Sequence, residues 1–107
     1  MGLDASVFCD DEEEHKIAAV HLGNLSMITY LRETISRAAP APILLNKVLY
    51  SGSHCGDRLL MEEVREVKRE LGEVRRAIKG DFEVDDFVSR FGGIVDLALK
   101  YDRPITF

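Results

Sequence analysis

The apolar positions of this chain switch period several times, and the switches mark its elements. Leu3 to Cys9 is short, apolar and partly β-branched, which predicts a strand. After the polar stretch Asp10–His15, Lys16 to Leu22 resumes as a second strand. The connection is too short for a helical crossover, so the two pair as a hairpin. Gly23-Asn24 breaks the pattern, with Asn24 placed as a helix N-cap. Ile28, Leu31, Ile35 and Ala38 then recur at three- and four-residue steps, one face of a helix. Pro40 and Pro42 end it. Ile43 to Tyr50, continuously apolar at Ile43-Leu44-Leu45, predicts a third, central strand. A strand–helix–strand crossover makes it parallel to the second.

The strongest periodicity follows. Leu60, Val64, Val67, Leu71, Val74 and Ile78 alternate spacings of four and three with charges almost everywhere else. Glu62–Arg65, Glu66–Arg69 and Arg69–Glu73 lie at the spacings that support a helix. Gly80 closes this helix and Asp81 caps the next. Val84, Phe87, Phe91, Val95, Ala98 and Tyr101 form another apolar face. Gly92-Gly93 interrupt that face and predict a kink, a break or a close backbone crossing. Arg103-Pro104 stops the helix, and Ile105-Thr106-Phe107 returns as a short edge strand or a packed tail. The expected fold is α+β: a three-stranded sheet, four-stranded if the tail joins it, with about three helices on one face. The order is β-β-α-β-α-α, in a single domain over residues 1–107.

Composition narrows the function classes. With 107 residues, 46% hydrophobic and 31% charged, the chain can build one core without disulfides or metal staples. The longest apolar runs fall far short of a membrane span, and no basic-then-apolar export signal opens the sequence. Two cysteines in that context read as reduced thiols in a cytoplasm. A formal net charge of −5 disfavours nucleic acid as a partner. Asp10, Asp11, Glu12, Glu13 and Glu14 supply five consecutive negative charges at the hairpin tip. They read either as a solvated tip or as an acidic surface that steers a basic partner. Met1-Gly2-Leu3-Asp4-Ala5-Ser6 matches the myristoylation pattern formally. That match is set aside, because a strand follows and the acidic run is repelled by anionic lipid.

The densest chemistry is Tyr50-Ser51-Gly52-Ser53-His54-Cys55-Gly56-Asp57, at a strand-to-helix corner where enzymes often place a nucleophile. A cysteine-phosphatase reading fails, because Met61 occupies the position of the phosphate-clamping Arg. A P-loop reading fails for want of Gly-Lys-Ser/Thr. A Cys55 thiol with a His54 base stays conceivable, since a helix N-terminus lowers a thiol pKa. Asp57 as an N-cap, with Gly52 and Gly56 shaping the turn and Leu59 and Leu60 already helical, is the simpler account. A metal site would draw on Cys9, His21, His54, Cys55 and Asp57. The paired Cys-x-x-Cys spacing of zinc sites is absent, and the topology places Cys9 at the far sheet edge. The expectation is therefore no catalytic residue, no metal and no cofactor. The heptad spacing of Leu60–Ile78 would also serve a homodimer, although Leu59, Met61 and Ala77 widen the stripe in favour of the chain's own sheet.

Three patches carry a family likeness: Met1-Gly2-Leu3-Asp4-Ala5-Ser6-Val7-Phe8-Cys9-Asp10-Asp11, Leu49-Tyr50-Ser51-Gly52-Ser53-His54-Cys55-Gly56-Asp57, and Ala98-Leu99-Lys100-Tyr101-Asp102-Arg103-Pro104-Ile105-Thr106-Phe107. With the order of elements, the chain resembles small bacterial immunity proteins of polymorphic toxin systems. That resemblance implies a cytoplasmic protein that binds a cognate toxin and blocks it without chemistry of its own. Charge and turn geometry then nominate Asp10, Asp11, Glu12, Glu13, Glu14, Ser53 and His54 as partner contacts. The alternatives are a small thiol- or metal-dependent enzyme centred on His54-Cys55-Gly56-Asp57, and a homodimeric scaffold or regulator.

Overall fold

A computed structural model describes residues 2–9, 15–49 and 58–107. Strand β1 (Gly2–Phe8) pairs antiparallel with β2 (Lys16–Asn24), from Gly2 opposite Asn24 to Phe8 opposite Lys16. Helix α1 (Leu25–Ala38) follows directly. Then come a π-helical turn (Leu44–Val48), the two-residue β3 (Arg58–Leu59), α2 (Met61–Ala77), α3 (Phe82–Tyr101) and β4 (Ile105–Thr106). The four-stranded sheet runs β2-β1-β4-β3 and is antiparallel throughout. The fold is α+β, as the alternation of periods predicts.

Pleating explains how the sheet meets the helices. Leu3, Ala5 and Val7 alternate inward on β1 and are buried, while Asp4 between them is exposed. Ile105 of β4 and Leu59 of β3 continue this apolar layer. Helix α1 buries Ile28, Leu31 and Ile35, α2 buries Val64, Val67, Leu71 and Val74, and α3 buries Phe87, Phe91, Val95 and Ala98. The middle of the heptad stripe, Val64 to Val74, is thus spent inside the chain's own core, while Leu60 at its start is exposed. Among the described residues Phe91 is the largest fully buried side chain; it stacks on Phe87 at 5.6 Å and meets Phe107 at 6.4 Å.

Several expectations need correction. Residues 44–48 of the segment read as a central strand form the π-helical turn instead. Leu44 and Val48 are buried four residues apart, while Asn46 and Lys47 face solvent, which is helical spacing. The third strand in chain order is Arg58–Leu59, and it pairs antiparallel with β4, so the parallel crossover does not form. Leu59 is therefore strand, and Leu60 rather than Asp57 precedes the first turn of α2. The Glu63 carboxylate reaches back to the Leu60 N–H at 3.1 Å and pairs with Lys47, and these contacts do the capping. Ile105–Thr106 is an inner strand, with Ser6 and Val7 on one side and Arg58 and Leu59 on the other.

Gly92 and Gly93 do not break α3, which runs through them as one helix, and a Cβ at either glycine would meet nothing within 4 Å. Their cost to the helix is therefore uncompensated inside the chain. Gly93→Ala should raise stability by about 0.5–1 kcal/mol, read as a higher denaturant midpoint at unchanged slope. Among the described residues, no helix is long and apolar enough to cross a membrane.

Candidate functional site

Asp10, Asp11, Glu12, Glu13, Glu14, Ser53 and His54, the partner contacts nominated by sequence, all lie outside the described residues, as do Cys55 and Asp57. Their flanks are described. The Cys9 N–H donates to the His15 carbonyl at 2.8 Å, which closes the β1–β2 pair immediately around the acidic run. Arg58, at the end of the second segment, begins β3 at the sheet edge opposite β2. His21 lies on β2, and the parallel strand expected to lead back to its edge is the π-helical turn instead.

A concavity lies where the end of β2, the start of α1 and the start of α3 meet. It measures about 270 Å³ and is lined by His21, Asn24, Met27, Glu83, Asp86 and Arg90 among others. Local sequence builds it. Asn24 caps α1, its Oδ1 accepting the Met27 N–H at 2.9 Å. Asp81 caps α3, its Oδ1 accepting the Val84 N–H at 3.1 Å. Three of the polar groups around the hollow, His21, Asp86 and Arg90, are already engaged. His21 Nδ1 lies 2.7 Å from Asp4 Oδ1, Arg90 Nη1 donates to the His21 carbonyl at 2.9 Å, and Arg90 Nε lies 3.8 Å from Asp86. Among the lining residues there is no hydroxyl or thiol to act as a nucleophile.

A second, shallower hollow adjoins it through Glu83 and is lined by Tyr30, Ile78, Asp81 and Phe82. Asp81 uses its two oxygens for two tasks: Oδ1 caps α3 and Oδ2 accepts the Tyr30 hydroxyl at 2.6 Å. These bonds, the Tyr30 hydroxyl first and the Val84 N–H second, hold the Asp81 carboxyl below its usual range. The same bond to Asp81, aided by desolvation, pushes the Tyr30 hydroxyl up.

The sign follows directly. A carboxyl whose folded pKa is depressed adds stability above its unfolded pKa, and that stability is lost as pH falls through the folded value. Tyr30→Phe should therefore move the Asp81 titration upward toward the normal carboxylate range and weaken the acid limb of the stability profile. Carboxyl-carbon NMR titration of Asp81 reads the first effect and acid unfolding the second.

Phe82 is 75% exposed, whereas Phe87 and Phe91 of the same helix are buried. A signal was present: Phe82 lies immediately after the cap, off the Val84–Phe87–Phe91 face. Among the described residues, no group of three His, Cys, Asp or Glu is arranged to hold a metal ion. In comparison with known proteins, the chain matches no family model, no curated protein and no solved structure.

Proposed function

We propose that this chain is a cytoplasmic immunity-type protein that binds a cognate toxin and neutralises it by occlusion, without chemistry of its own. One observation carries the reading: the chain holds a surplus of acids over bases that its internal ion pairs, each taking one of both, do not remove. Lys47 pairs with Glu63, Lys68 with Asp96, Arg69 with Glu66 and Glu73, and Arg90 with Asp86. Arg32 donates to the Leu45 and Leu49 carbonyls, and Arg103 to the Phe8 carbonyl. With a net charge of −5, the external field attracts a basic partner. The resemblance of three sequence patches to immunity proteins points to a toxin as the partner, and the acidic run Asp10–Glu14 fits one whose substrate cleft is basic.

Co-expression with a toxin domain encoded beside this gene should restore growth, and the purified pair should form a complex. In this reading Asp10–Glu14 steer the encounter. Replacing all five by Lys should cut the association rate on the order of tenfold or more at low salt and flatten its salt dependence. Stopped-flow association at two ionic strengths checks this; an unchanged rate and salt slope would remove the acidic run from the interface.

A further inference from the structure

The geometry points to the α1–α3 corner, centred on Phe82 and Tyr30 with Glu83 and Asp85 beside them, as a docking surface for a basic, apolar-bearing segment of a partner protein. This deepens the proposed function, and rests on it only for the identity of that partner.

Four observations converge. Phe82 is 75% exposed at the first position of α3 and takes no part in the buried core. A large ring left in water in this way is characteristic of an interaction site when polar groups rim it. Tyr30, 43% exposed, lines the same hollow, and its bond to Asp81 fixes the ring before any partner arrives. Aromatic anchors held rigid in the free protein lose little entropy on binding and dominate interface energies. The acids beside them are available: neither Glu83 nor Asp85 has a basic partner among the described residues. The hollow also continues through Glu83 into the concavity lined by Met27 and Asp86, so apolar and acidic groups alternate along one seam.

Charge selects the occupant. Asp81, Glu83, Asp85 and Asp86 crowd the start of α3, against Lys79 and an Arg90 already engaged by Asp86 and the His21 carbonyl. A second copy of this acidic chain would bring like charges together at such a seam, whereas Lys or Arg flanking an apolar side chain would satisfy both features. Strand addition at the neighbouring sheet edge is the weaker route. β2 is bulged near both ends and its His21 carbonyl is capped by Arg90, two devices that blunt an edge.

The test uses the full chain and a defined probe: an amphipathic helical peptide of Lys and Leu, with an all-Lys peptide of equal length as control. In an NMR titration, shift changes should centre on residues 79–87 and on Met27–Tyr30. The all-Lys peptide should bind at least tenfold more weakly. Phe82→Ser should weaken the Lys/Leu peptide at least tenfold, and E83K/D85K together should abolish binding, each variant keeping the wild-type amide spectrum elsewhere. A shift map centred on another surface, equal affinity for both peptides, or wild-type affinity in Phe82→Ser overturns the proposal. So does a dimeric solution mass that Phe82→Ser halves, which would assign the surface to a second copy. Failure of the toxin to be neutralised leaves the peptide map as it is, so the two ideas fail separately.

Discussion

Glu70→Ala is expected to lower stability by about 3 kcal/mol, the upper range for hydrogen bonds made to a charged group. Glu70 is fully buried on α2 among Val67, Leu71 and Val74, and its oxygens accept the Leu44 N–H at 2.9 Å and the Ile43 N–H at 3.3 Å. Those two N–H groups open the π-helical turn and have no partner within it. Truncation leaves both unsatisfied and adds a cavity where the side chain had filled the core. Glu70→Gln retains the volume and one acceptor but turns an amide NH₂ toward a backbone N–H, so about half the loss should remain. Urea midpoints of the two variants at neutral pH decide the matter. Equal losses would show that the acceptor pair, and not the side chain's volume, is what the site needs.

The same residue explains why the Ile43–Tyr50 segment was not legible as a helix. A short continuous apolar run carries no period, so strand and buried helix read alike. What decides between them is remote. Glu70 holds the amide end of the turn, and Arg32 of α1 donates to the Leu45 and Leu49 carbonyls at the other. Side chains from two helices thus supply partners that a sheet neighbour would otherwise provide. Glu70 itself sits three residues after Val67 and four before Val74, on the apolar stripe. A charge at a core position of an otherwise regular face was the available clue.

Elements with local causes were legible. The hairpin follows from connection length, α1 and α3 from their caps Asn24 and Asp81, and α2 from spacing. β3 and β4 are two residues each, too short for a period, and exist because β4 returns to lie beside Ser6 and Val7 from the far end of the chain. The candidate surface was legible as charge and only partly as shape. The acids of α3 are plain in the sequence, but the exposure of Phe82 depends on which side of the Asp81 cap faces α1.

Gly23→Ala is the second large effect, again about 3 kcal/mol, the upper end for one residue forced into a glycine-only conformation. Gly23 pairs with Leu3 beside a bulge, one residue before the end of β2, and has φ +145°, a region that L side chains rarely enter. A Cβ there would lie 2.9 Å from Met27 Cγ and 3.0 Å from Met27 Cβ, closer than carbon atoms approach. Two costs therefore combine, backbone strain and a clash with α1, and Met27→Ala separates them. It removes Cγ but leaves Cβ, so the double variant should recover about 1 kcal/mol or less relative to the sum of the single losses. Full recovery would mean that the side-chain clash alone excludes Ala. Because Gly23 and Met27 line the hollow that continues to Glu83, the same substitution should displace the start of α1 from α3. The amide shifts of Met27 and Glu83 would then move together in Gly23→Ala, tying the strand-to-helix corner to the proposed docking seam.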